Sequence, residues 1–202
     1  GFSSWRKSLL KIHNFDNKDI EDDKYVRRLA FDEILSNLIV LSKNRKKFKK
    51  TKKKNKLFKN SLSKKLIKNL NFKLTKNQEE IISEINLDLR SDKKMFRILQ
   101  GDVGSGKTIV SLVAAANVLE TGYQSALMAP TAILAKQHYN LAKKIFDGTK
   151  IKIKLLTGKT ETRIKKKILE DLKFGEIDLL IGTHALFQKK IDFKNLGYII
   201  ID

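Results

Sequence analysis

A stretch near the middle of the chain, Gly101-Asp102-Val103-Gly104-Ser105-Gly106-Lys107-Thr108, has the spacing G-x-x-x-x-G-K-[ST]. Glycines at these places let the backbone curl until its N–H groups point inward, forming a cradle for phosphate oxygens. A helix starting at Lys107 adds the partial positive charge of its N-terminus. The Lys107 ammonium would reach the β- and γ-phosphates of a nucleotide as a point charge, and the Thr108 hydroxyl is placed to ligate Mg2+. An ordinary glycine-rich turn is the bland alternative. Its neighbours argue against it: Arg97-Ile98-Leu99-Gln100 precedes the loop and Ile109-Val110-Ser111-Leu112-Val113 follows. That is the strand–loop–helix setting phosphate binding requires.

A cation beside phosphates needs a further oxygen donor at the end of another buried strand, to hold it through water. Tyr198-Ile199-Ile200-Ile201-Asp202 supplies one. Lys107 and Asp202 are therefore the expected catalytic residues, Thr108 and Asp202 the expected metal site, and a nucleotide with Mg2+ the expected cofactor. The three histidines, His13, His138 and His184, are scattered, and without Cys they make no metal site. His13 and His138 are expected to be packing or surface residues.

These residues need elements to carry them. The apolar pattern predicts helices over Lys76–Leu89, Lys107–Glu120, Ile133–Phe146 and Arg163–Leu172. It predicts strands over Phe96–Gln100, Gln124–Ala129, Ile151–Leu156, Ile177–Ile181 and Tyr198–Ile201. Several of these strands are continuous apolar runs, which fits a parallel sheet buried on both faces. Alternating strands and helices point to a doubly wound α/β domain over residues 71–202. Residues 1–42 read as helical, with Tyr25, Val26, Leu29, Ile34, Leu38 and Leu41 near helical spacing and Asp22 or Asp23 as a cap. Residues 43–70 read as a basic linker between the two.

Composition narrows the classes. The 202 residues carry no Cys, which excludes a disulfide scaffold or a Cys-based zinc site. No apolar stretch is long enough for a membrane-spanning helix, and 41% hydrophobic residues is too many for a disordered chain. The net charge is +21, and two-thirds of it comes from Lys43–Lys68, which holds 14 Lys and Arg and no Asp or Glu. That run suits contact with nucleic-acid phosphates. It also suits a solvated linker in a Lys- and Asn-rich chain. Phe48 and Phe58 fit stacking on bases or, more simply, anchoring of a short helix. The chain starts without Met and stops inside an apolar run, so an internal piece of a longer protein is expected. No signal peptide is seen, and the cytoplasm is the default location.

At this point the residues resemble a family. Ile98–Thr108 is similar to the first ATPase motif of the RecG family of bacterial ATP-dependent DNA helicases, and the resemblance covers most of the chain. Leu74-Thr75-Lys76-Asn77-Gln78 resembles the adenine-reading motif, which implies that Gln78 bonds the adenine edge and that Phe72 lies close to the base. Ala126–Thr131 with Ile133–His138 resembles the next motif, which contacts a DNA strand. Leu155-Leu156-Thr157-Gly158, Gly175–Asp178 and Gly182–Gln188 resemble further motifs, and Tyr198–Asp202 resembles the start of the DEXH-type motif. Trp5, Leu9, His13 and Arg27–Glu33 resemble the segment joining the fork-binding wedge domain to the motor.

The resemblance implies a RecA-like P-loop motor domain preceded by a helical linker. It implies cofactor contacts at Phe72, Gln78 and Gly101–Thr108, including Asp102, Val103, Gly104, Ser105 and Gly106. It implies DNA contacts at Pro130, Thr131, Thr157, Gly158, Thr183 and His184. Strand-end threonines also serve as helix caps, and the two roles coexist. The wedge domain and the second motor domain with its arginine finger are not in this chain, and Ala132 replaces the family's usual Glu. A protein of this kind acts on branched or forked duplex DNA, as a monomer, in recombination and repair. A chain stopping at Asp202 is expected to bind ATP weakly and not to hydrolyse it. Two other classes stay open: a translocase like the transcription-repair coupling factor, and a non-catalytic nucleic-acid-binding module. A P-loop kinase for a small acceptor fits less well with the strand-end motifs.

Overall fold

The computed structural model describes residues 3–13, 24–187 and 191–202. The proposed caps Asp22 and Asp23, and Gln188 at the end of its motif, lie outside the described residues. The chain divides into two compact units, 1–52 and 53–202.

In the first unit, helix α1 (Trp5–His13) packs on helix α2 (Lys24–Lys50). The helical expectation for this part extends further than the spacing suggested. α2 continues through the basic residues to Lys50, because Lys and Arg are good helix formers and nothing in Ser42–Lys50 breaks the helix. Arg28 donates to the Ser3 carbonyl at 3.1 Å, tying α2 to the residues just before α1.

The second unit is built on a four-stranded parallel sheet with the order β2-β3-β1-β4. The strands are β1 (Gln124–Met128), β2 (Ile153–Leu156), β3 (Leu179–Gly182) and β4 (Leu196–Ile201). The helices are α3 (Ser61–Lys68), α4 (Lys76–Arg90), α5 (Lys107–Leu119), α6 (Ala132–Ile145) and α7 (Thr162–Phe174). β3 is buried along its whole length. Its Leu179 and Ile181 pack with α3, α5 and α6, while Leu180 packs with Ile168 and Leu172 of α7. That two-residue alternation into two separate cores is the signature of a sheet covered on both faces. β4 pairs with β1 along one edge only, and its side chains are correspondingly more exposed.

Two expectations change. First, Phe96–Gln100 is not a strand: it carries no regular secondary structure, and Phe96 and Ile98 are 74% and 78% exposed. Leu99, and Met95 just before the segment, pack on the α4–α5 core. Arg97 is held by α4, donating to Asp88 at 2.9 Å and pairing with Glu84. These contacts hold the segment against α4, and among the described residues the other edge of β4 has no ladder partner. Second, the later part of the basic run is packed structure. Leu66 of α3 is fully buried between α5, α6 and the sheet, and Phe58 packs beside Ile85 and Val113. Lys53 caps the end of α4, donating to the carbonyls of Asp88, Leu89 and Ser91 at 3.1, 2.7 and 2.8 Å.

Candidate functional site

The loop between Gln100 and α5 follows its glycines. Gly104 and Gly106 have φ of +82° and +85°, a left-handed backbone that side chains disfavour. A Cβ on Gly106 would also meet the Gln78 amide nitrogen at 2.5 Å. The turn is closed by Ser105 N–H donating to the Asp102 carbonyl at 3.2 Å. Val103 at its tip is fully exposed. The Lys107 ammonium folds over the loop, donating to the Gly101 and Asp102 carbonyls at 2.8 and 2.7 Å. Behind it, α5 runs buried from Leu112 to Leu119, so the helix that opens at Lys107 is anchored in the core.

Gln78 is latched to this loop. Thr75 and Gln78 form a reciprocal capping box at the start of α4. The Gln78 amide nitrogen then donates to the Ser105 carbonyl at 2.9 Å. Phe72, by contrast, is 53% exposed, in the stretch before α4.

Asp202 lines a groove of about 840 Å3 together with Lys107, Thr108 and Ser111. Its N–H donates to the Met128 carbonyl at 2.9 Å, extending the β1–β4 ladder by one bond. Its Oδ2 lies 2.7 Å from Nε2 of His138 on α6. The sequence alone places His138 among packing or surface residues and gives no sign of this pairing. This histidine is 8% exposed, within the buried stripe Ala135, His138, Ala142 and Ile145. A histidine in an apolar stripe signals a buried polar group that needs a partner. The partner lies 64 residues away in sequence, and only the fold reveals it.

The donors fit Mg2+. A hydroxyl and a carboxylate on one groove are hard oxygen ligands, and Mg2+ usually takes one or two such groups with phosphate oxygens and water. Among the described residues no cluster of three or more His, Cys, Asp or Glu offers a self-sufficient metal cage.

The other candidates sit on the loops leaving the strands. Because all four strands are parallel, their C-terminal ends share one edge of the sheet, the usual ligand edge of such sheets. Pro130 and Thr131 follow β1; both are exposed, and the Thr131 hydroxyl caps α6 by accepting from Leu134 N–H at 3.2 Å. Thr157 and Gly158 follow β2, with Thr157 N–H donating to the Thr160 hydroxyl at 3.0 Å. Thr183 and His184 follow β3; Thr183 is buried and His184 is exposed at the start of a short 3-10 turn. Gly182 is required there, since a Cβ would meet the Leu156 carbonyl oxygen at 2.1 Å. Among the described residues, no helix is long and apolar enough to cross a membrane.

The family model described as DEAD/DEAH box helicase matches residues 75–202. The chain belongs to the DEAD/DEAH box helicase family. This DEAD/DEAH box helicase chain is 43% identical over 201 residues to the ATP-dependent DNA helicase RecG of Aquifex aeolicus, covering 96% of the chain and 25% of that relative. It is 44% identical over 180 residues to the RecG of Thermotoga maritima, covering 89% and 23% respectively. A solved structure of RecG bound to a three-way DNA junction matches with a TM-score of 0.77 at 43% identity, over 88% of this chain and 24% of that one. The helicase chain thus spans about a quarter of the length of these RecG relatives. A hypothetical ATP-dependent RNA helicase from Sulfolobus tokodaii, 22% identical with a TM-score of 0.53, shares the fold. The α/β unit is a RecA-like motor domain, a parallel sheet with flanking helices.

Proposed function

We propose that this chain is the linker helix and most of the first motor domain of a RecG-type ATP-dependent DNA helicase. On this proposal the whole protein remodels branched DNA and stalled replication forks in recombination and repair. The observation that carries it is one groove lined by Lys107, Thr108 and Asp202, on a domain of RecG-like sequence and fold. ATP is the cofactor, with Mg2+. The N–H groups of Gly101–Gly106 and the start of α5 hold phosphate oxygens, with Asp102, Val103, Gly104 and Ser105 forming the loop around them. Lys107 leaves the Gly101 and Asp102 carbonyls to meet the phosphates, a stronger, charge-assisted contact. Thr108 and Asp202 hold the cation, which supplies charge neutralisation on the β- and γ-oxygens. Gln78 reads adenine beside Ser105, and Phe72 flanks the base.

Duplex DNA is the partner, met at Pro130, Thr131, Thr157, Gly158, Thr183 and His184 along the strand-end edge. Phosphate contacts there set position rather than sequence preference. A wedge domain and a second motor domain of the same protein complete the machine, which works as a monomer in the bacterial cytoplasm. RecG relatives support this reading over a transcription-repair coupling factor. The test is steady-state ATP hydrolysis by the purified full-length protein with and without DNA. DNA-stimulated hydrolysis that is lost in Lys107→Ala supports the proposal; hydrolysis that ignores DNA refutes it.

A further inference from the structure

Asp202 is constrained from two sides. Its backbone N–H is tied to Met128 of β1, and Oδ2 is tied to His138 Nε2 at 2.7 Å. An ionised carboxylate only accepts, so Nε2 carries the hydrogen and donates it. The imidazole is itself held: His138 is 8% exposed in the stripe by which α6 packs into the unit. The Asp202 side chain is 40% exposed and faces the groove that holds Lys107 and Thr108. A carboxylate on a strand end turns freely about its side-chain bonds unless something fixes it, and here a rigid, buried donor takes one oxygen.

We propose that His138 is a positioning residue for the cation site: it holds Oδ2 so that Oδ1 of Asp202 stays turned toward the groove that Thr108 also lines, where the two residues would hold the cation. This rests on the ATP and Mg2+ reading above. The purely structural alternative is that the contact merely satisfies a buried histidine, with Asp202 equally effective in any rotamer. Partners that orient a metal-binding carboxylate typically change metal affinity when removed, even though they never touch the metal.

The test is binding of a fluorescent ATP analogue to the purified full-length protein, titrated with Mg2+ and repeated in EDTA, with thermal melts alongside. His138→Ala is expected to raise the Mg2+ concentration for half-maximal tightening by roughly three- to tenfold, with affinity in EDTA unchanged. His138→Gln, whose amide N–H reaches a similar place, is expected to recover most of the loss, and it stays informative if the Ala variant melts early. In an Asp202→Asn background, His138→Ala is expected to change nothing further. Unaltered Mg2+ dependence in His138→Ala overturns the role of His138. So does an equal loss in EDTA, or an undiminished loss in the Asp202→Asn background. Failure of the wild-type protein to bind the analogue at all overturns the ATP reading itself, a distinct result.

Discussion

The Gln78 side chain bridges Thr75 and Ser105: its oxygen accepts from Thr75 N–H at 2.9 Å and its nitrogen donates to the Ser105 carbonyl at 2.9 Å. One residue therefore fixes both the start of α4 and the curl of the phosphate loop. Gln78→Ala is expected to weaken ATP binding by about 1–2 kcal/mol, with GTP less affected because adenine contact is lost as well. Calorimetric titration with both nucleotides checks this. Equal losses for ATP and GTP would confine Gln78 to holding the loop.

Lys107 has a different profile. Its ammonium lies on two loop carbonyls at the surface, so the fold does not depend on it. Lys107→Ala is expected to lower ATP affinity more than about tenfold, as loss of a charged hydrogen-bonding partner does, with the melting temperature nearly unchanged. DNA affinity should fall little. A nucleic-acid-binding module without motor activity would differ elsewhere: deletion of residues 43–56 would abolish DNA binding and Lys107→Ala would alter nothing.

The legible parts of the fold and site are the local ones. The Gly101–Thr108 spacing and the apolar run ending at Asp202 are short-range patterns, readable without knowledge of contacts, and the fold puts both on one groove. Helices α4 to α7 are legible for the same reason, within a residue or two at their ends. His138 was not legible as a partner of Asp202, because the pairing exists only once β1 and β4 bring α6 beside the strand end. Phe96–Gln100 has the composition of a strand, yet the strand state is decided by a ladder partner, and Arg97 is engaged by α4 instead. The run from Lys53 to Lys68 hides its core residues. Phe58, Leu62, Leu66 and Ile67 are diluted by lysines, whose heads stay in water while the apolar side chains pack.

That last point has a direct consequence. Leu66 is fully buried in a segment that composition assigns to a linker. Leu66→Ala is expected to destabilise the motor unit by about 2–5 kcal/mol, the range for a buried leucine. Urea unfolding measures it. A loss below about 0.5 kcal/mol, typical of a surface change, would mean that α3 is not docked.

Tyr198 on β4 packs against the α4–α5 core, and burial pushes its phenol up to about 12. The unfolded chain loses this proton first, near pH 10. The protonated phenol therefore contributes full stability below about pH 10, and that contribution is lost as the pH rises toward about 12. The loss amounts to about 2–3 kcal/mol by linkage. Denaturant midpoints across pH 9–12 are expected to fall, and Tyr198→Phe is expected to flatten this part of the fall. An identical fall in the Phe variant would assign it to other groups.

The most direct test is ATP hydrolysis by the full protein with forked or Holliday-type DNA against linear duplex of equal length. The proposed function predicts strong stimulation by branched DNA and weak stimulation by linear duplex, both lost in Lys107→Ala. Equal stimulation by the two DNAs would contradict a branched-DNA role while leaving a duplex translocase. No stimulation by either would contradict the DNA motor altogether.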